Sequence, residues 1–465
     1  MSLNPFRFFI LLAAMFTIVS CNWLDNNEET EVSTNPSFVS LRFTSSASGV
    51  SSAAFTLVKE EGIEDSVIVN LDSLPYKTDI SKVLSTYSFK SVGTTYAYVT
   101  DSVGGIDTIN ISATTAADTI DYRWGVRILN YAADGKTFAK YVVKVNVHTV
   151  EPELYQWNRI NSSIYSHAGS EQKALLFRDS IFFYVGSGLN NTLYKSVDGA
   201  SWKAPVNISS LPDFAHLRNI LSFKNKLFYA HQDSILYWSD NGIQWNKRSF
   251  GSENFYIHNL LFEMNNKLWA VAYLPGTKKY HFANSDDGLN WAKEDEVPTG
   301  FPVKGFAAHS FFSRTKVAKA IVVGGYTEDE SIMRNIWSTE NGSYWIDFST
   351  EKTNLEHLAG ATIVSYDDKL LMIGRMNDDG LVPESWFLES KDEGLSWKNT
   401  DTTYTQIREL VYSPSDTSYR YMEPRYFTSA IVRDKRIIVI GGRNQAGYFT
   451  DVWTGRLNRL NFLRQ

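Results

Sequence analysis

The feature that most restricts how this 465-residue chain can fold is a short segment that returns five times. SVDGASW at Ser196–Trp202 is followed by SDNGIQW at Ser239–Trp245, SDDGLNW at Ser285–Trp291, TENGSYW at Thr339–Trp345 and KDEGLSW at Lys391–Trp397. The closing tryptophans stand 43 to 54 residues apart, a period that signals arrays and propellers. A second unit runs between them, an apolar hairpin with a polar turn. It reads ALLFRDSIFFYVG, ILSFKNKLFYA, LLFEMNNKLWAVA, FFSRTKVAKAIVVGG, ATIVSYDDKLLMIG and SAIVRDKRIIVIGG. Apolar runs this continuous suit strands covered on both faces, as blades are by their neighbours.

The six hairpins predict a six-bladed β-propeller over residues 151–465. The last unit ends DVWTGRLNRLNF and has no turn motif of its own. An orphan strand around Trp157, in LYQWNRI, lies 45 residues before Trp202 and is expected to pair with the last blade. Closing the ring in this way removes two open sheet edges.

The recurring segment has a local job. The side chains of Asp198, Asn241, Asp287, Asn341 and Asp392 are suited to accept hydrogen bonds from backbone N–H groups just downstream. Gly199, Gly242, Gly288, Gly342 and Gly394 supply the positive φ that the turn needs. Trp202, Trp245, Trp291, Trp345 and Trp397 then open the outer strand and wedge a large ring between blades. These residues are expected to be scaffold, with no ligand among the acids.

Residues 37–150 have a different rhythm. FVSLRF, SAAFTLV, SVIVNL, TYAYV, DTINIS, RWGVRILNY and FAKYVVKVNVH alternate β-branched or aromatic residues with polar ones, and Ala132-Ala133-Asp134-Gly135 supplies a hairpin turn. An immunoglobulin-like β-sandwich is expected, so the whole chain is all-β. Its 14% aromatic content agrees.

The first residues are address, not fold. Residues 1–20 carry Arg7 and an apolar run from Phe8 to Val19, too short to span a bilayer comfortably. The run ends in Ile18-Val19-Ser20-Cys21, which resembles the bacterial lipobox and makes Cys21 the expected lipidation site. Residues 21–36, with Asp25, Glu28, Glu29 and Glu31, read as an acidic flexible tether resembling the surface-export signal of Bacteroidetes-type lipoproteins. The expected location is the outer membrane, facing the cell surface or, as the alternative, the periplasm, with membrane contact only through the lipid. Cys21 is the single cysteine, which excludes a disulfide framework. A net charge of −6 argues against nucleic-acid binding.

Five of the eight histidines, His167, His216, His258, His309 and His357, fall just before or at the start of the first strand of a blade. Arg425 takes that place in the sixth. First strands line the central channel, so these six side chains are the candidate binding residues, ringing one mouth as a polar or anion-attracting pocket. A ring of this kind separates the imidazoles too widely for one ion, so no metal is expected.

The motifs carry resemblances. PRYFTSAIVRDKRIIVIGGRNQAGYFTDVW, with Gly441-Gly442 and Trp453, resembles a Kelch repeat, and Gly324-Gly325 with Trp337 repeats that pattern. SKDEGLSW resembles the Asp-box of sialidases, whose Arg-Ile-Pro stretch is missing from this chain. Kelch-type oxidases need a cysteine–tyrosine cofactor and copper, which Cys21 cannot supply, so no cofactor is expected. With LDSLPYKTDISKV and KYVVKVNVH in the first domain, the chain resembles a Bacteroidetes-type lipoprotein family, domain of unknown function 6242. That resemblance implies fold and address. The function expected is a monomeric, non-catalytic cell-envelope protein that binds a glycan or protein ligand. The alternatives are a glycan-active enzyme of sialidase or lyase type, with no catalytic residue assignable by motif, and a structural subunit of an envelope assembly.

Overall fold

The computed structural model describes residues 32–460 apart from 45–48, 112–118, 167–170, 232–233, 251–253, 350–354, 400–406 and 411–418. It is all-β and divides into two units, Met1–Pro152 and Glu153–Gln465. The predicted signal segment and Cys21 lie outside the described residues.

In the first unit a six-stranded sheet runs in the order Phe55–Val58, Ser66–Asn70, Phe138–Lys144, Val126–Tyr131, Thr95–Thr100, Ile106–Asn110. Only the pairing of Ser66–Asn70 with Phe138–Lys144 is parallel within it. A two-stranded sheet, Phe38–Phe43 with Ser85–Phe89, packs its Leu41, Phe43 and Phe89 onto Ile68, Ile128 and Tyr141 of the larger one. The result is a sandwich whose strands divide six to two. At the hairpin near residue 135, Asp134 Oδ1 accepts the amides of Lys136 and Thr137 at 3.0 and 2.9 Å, and Gly135 has φ 66°.

The second unit contains six four-stranded antiparallel sheets. Blade one is Glu171–Phe177, Ser180–Gly186, Asn191–Ser196 and Val206–Asn207. Blades two to five begin with Leu221–Phe223, Tyr256–Met264, Ala307–Phe312 and Thr362–Tyr366. Blade six joins Ser429–Arg433, Arg436–Ile440 and Val452–Leu457 to Tyr155–Asn161, the strand around Trp157. The innermost strand of each blade lies against that of the next, and the first lies against the last. The ring is therefore a closed propeller.

Local chemistry explains the blades. The hairpins of blades one, two, three, five and six turn through Arg178-Asp179, Lys224-Asn225, Asn265-Asn266, Asp367-Asp368 and Asp434-Lys435. Both residues of each pair have positive φ, the twist that matches antiparallel strands. At the other repeated turn, Gly199 N–H donates to Ser196 Oγ at 2.8 Å, while Asp198 Oδ1 accepts the amides of Ala200 and Ser201 at 2.9 Å. Asn241, Asp287 and Asn341 repeat that geometry. Asp392 spans one residue more and accepts the Ser396 amide at 2.9 Å.

Each turn glycine lies against the second strand of the preceding blade. A β-carbon on Gly242, Gly288 or Gly342 would stand 2.2–2.6 Å from Phe182, Phe228 or Trp269. The apolar cores between blades hold one tryptophan each from the series Trp202, Trp245, Trp291, Trp345, Trp397, with Trp157 in the core between blades five and six. Each ring withdrawn from water contributes about 2–3 kcal/mol to holding neighbouring blades together.

Candidate functional site

The starts of the six inner strands and the loops leading into them enclose a cavity of about 500 Å³ at the centre of the ring. Blade one contributes Lys173, and the loop before blade two contributes His216 and Arg218. Blade three adds His258, and the approach to blade four adds Lys304 and Phe306. Tyr326 and Glu330 reach in from the loop after Ala318–Val323, and Phe427 from the approach to blade six.

Most charges here are matched. Arg218 Nε donates to Glu171 Oε2 at 2.7 Å, its Nη2 bonds Glu171 Oε1, and its guanidinium carbon lies 3.6 Å from the centre of the Phe427 ring. Burial works against a charge on Glu171, but Arg218 and His216 outweigh it and hold the carboxyl below its usual range. The His216 Nδ1 is 4.0 Å from the same carboxylate. Lys304 is paired with Glu330. Lys173 differs: among the described residues nothing hydrogen-bonds or ion-pairs with its amine. Burial, reinforced by the positive Arg218, pushes its pKa down to about 8.

The six residues singled out by sequence separate into distinct environments. His216 and His258 line the cavity. His258 packs edge-on against Tyr280, with centroids 5.1 Å apart, and burial together with Lys304 lowers its pKa to about 4. His309 turns toward blade five, its Nε2 2.8 Å from Ser365 Oγ, and burial lowers its pKa to about 4 as well. His357 is exposed, with Nδ1 2.8 Å from Asp378 Oδ2. His167 lies outside the described residues.

Arg425 is fully buried and committed. Its Nη1 donates to Asp451 Oδ1 at 2.5 Å and to Gly441 O at 3.1 Å, and its Nε to Glu423 O at 2.9 Å. Its guanidinium lies 3.9 Å above the Phe449 ring, and Trp453 Nε1 donates to Asp451 Oδ2 at 2.8 Å. This cluster ties the approach to blade six to its outer strands and does not line the cavity.

Sequence reasoning passed over Lys173, Arg218, Lys304, Tyr326 and Phe427. One signal was present: Arg218 stands two residues after His216, at the strand start already marked by the histidine.

Residues 151–465 match the DUF6242 beta propeller domain, and residues 28–145 match the DUF6242 N-terminal domain. No curated protein matches the sequence. Among solved structures the chain is similar to an α-L-arabinofuranosidase from Fusarium graminearum, at 10% identity over 66% of this chain and 99% of that one, TM-score 0.40. A Hadza microbial sialidase is similar at 9% identity over 91% and 93%, TM-score 0.39. An endo-arabinase from Bacteroides thetaiotaomicron is similar at 11% identity over 46% and 90%, TM-score 0.31. Likenesses this distant transfer no substrate or activity.

Proposed function

The chain belongs to the DUF6242 family, whose N-terminal domain and β-propeller it carries, and from that premise we propose a cell-envelope lipoprotein that binds a glycan in the propeller's central cavity without cleaving it. The observation that carries this reading is the make-up of the cavity wall. A volume of about 500 Å³ suits a small ligand or the end of a chain. Phe306 and Tyr326 offer faces on which a sugar ring can rest, and the polar groups between them can meet its hydroxyls.

Hydrolysis of a glycosidic bond ordinarily takes two carboxylates placed across the scissile bond. The described lining offers one, Glu330, and it is neutralised by Lys304. Glu171, just behind the wall, is neutralised by Arg218. Both acids are thus held as structural counter-ions, which favours binding over turnover. The envelope address rests on the signal segment and Cys21.

A glycan-array screen of the protein lacking residues 1–21, followed by incubation with the best binders, tests the reading. Binding that is weakened by Tyr326→Ala and leaves the glycan intact is expected. Release of reducing ends by the wild type, lost on replacing Glu330, would replace it with an enzyme. Labelling with radioactive palmitate should mark the wild type and spare Cys21→Ser.

A further inference from the structure

We propose that the ligand of this cavity is an acidic sugar chain whose carboxylate or sulfate is held between Lys173 and Arg218 while its rings lie against Phe306 and Tyr326. The inference rests on the reading of the cavity as a glycan-binding site and narrows it to one class.

The argument is charge pairing. Lys304 has Glu330 and Arg218 has Glu171, so both pairs are locally neutral. Lys173 adds a positive charge that no described residue answers, close enough to Arg218 for the two to repel. Two positive side chains on one cavity wall with no anion between them repel, and Lys173 and Arg218 both line this wall. A ligand anion supplies the partner.

Arg218 has a donor left for the same anion. Its Nε and Nη2 are taken by Glu171, and Nη1 has no partner among the described residues. Stacking on Phe427 and the two bonds to Glu171 fix the plane of the guanidinium. That pre-orientation means little freedom is lost when an anion arrives. Phe306 and Tyr326 line the same cavity, so an anionic group at the two cations sits within one ligand's reach of them. Charge selects the acidic residue of the chain, and the aromatic faces select a sugar over a bare anion.

The test uses the two-domain protein lacking residues 1–21 and three oligosaccharides of equal length: oligogalacturonate, a sulfated carrageenan fragment and neutral galactan. Titration calorimetry should show at least one acidic probe binding about tenfold or more tighter than galactan. The acidic probe that binds distinguishes carboxylate from sulfate recognition. Lys173→Met should remove about tenfold of that preference, and Lys173→Arg should restore most of it. An unchanged melting temperature shows that each variant is folded. Equal or tighter binding of galactan, or undiminished acidic binding by folded Lys173→Met, overturns the acidic-ligand inference and leaves the cavity reading standing. No binding of any of the three overturns both.

Discussion

The indole of Trp157 lies across Gly455, with Cε3 and Cζ3 each 2.5 Å from where a β-carbon on that glycine would stand. The two residues are register partners in the pair that joins Tyr155–Asn161 to Val452–Leu457, so the glycine admits the tryptophan where the ring closes. Replacing Gly455 by Val forces the indole off the strand. A loss of about 3 kcal/mol is expected, near the upper end of overpacking costs. Trp157→Ala should cost about 3–5 kcal/mol by opening a cavity in the core between blades five and six. Urea unfolding monitored by circular dichroism checks both, and a change below about 1 kcal/mol in either would contradict closure by this strand.

The same turn built at two places should respond differently to the same substitution. Gly199 and Gly288 have φ 80° and 76°, so a change to Ala strains the backbone equally. A β-carbon on Gly288 would stand 2.2 Å from Phe228 Cζ, whereas one on Gly199 would meet Ile438 and Ile160 at 3.3 and 3.4 Å. Gly199→Ala should cost about 1–2 kcal/mol and Gly288→Ala about 2 kcal/mol more. Equal losses would mean that packing on the preceding blade does not select the glycine.

The blades were legible because most of them repeat one solution. A polar pair with positive φ turns five of the hairpins, an Asp or Asn turn closes five of the blades and a tryptophan of the series enters each interblade core, so repetition exposed the period and the orphan strand at Trp157. The cavity was harder to read because its chemistry changes from blade to blade. Strand starts locate the mouth without saying which way a side chain turns, and side chains alternate from one residue to the next. Ala308 lines the cavity while His309, one residue on, turns to Ser365. Arg425, two residues before the cavity residue Phe427, turns to Asp451. Lys173 and Lys304 belong to no motif, and a sequence does not show which lysine lacks a counter-ion.

Arg425 and Asp451 should behave as structure alone. Asp451→Asn leaves the fully buried guanidinium without its counter-ion, and a loss of about 3–5 kcal/mol is expected. The affinity of the cavity for its ligand should be unchanged at a temperature where the variant is folded, because neither side chain lines the wall. A large affinity change with a small stability change would assign the pair to the binding site instead.

Acid should weaken the propeller through His258 and His309. An unfolded imidazole takes its proton near pH 6.5, and burial lowers both folded values to about 4. Between these limits the unfolded chain binds more protons, so stability is full above about pH 6.5, falls as pH drops toward 4 and levels off below. Each residue should account for up to about 3 kcal/mol of that fall. Denaturation curves between pH 7 and 4 should show a shallower decline for His309→Gln than for the wild type. Parallel declines would show that His309 takes its proton in the folded protein near the ordinary value.

Lys173 offers a chemical readout that needs no knowledge of its ligand. An amine nucleophile must be unprotonated, and a folded value of about 8 leaves roughly half of Lys173 neutral at pH 8, where an ordinary lysine near 10.4 is almost wholly protonated. Limiting acetic anhydride at that pH should therefore acetylate Lys173 ahead of Lys304, whose ammonium is held by Glu330. Peptide mapping by mass spectrometry gives the ratio, expected at about fivefold or more after correction for exposure. Prior saturation with an acidic oligosaccharide that binds the cavity should suppress the reaction at Lys173, since an anion beside the amine both covers it and raises its proton affinity. If Lys173 and Lys304 were acetylated equally at pH 8, the unpaired state of that amine would be refuted.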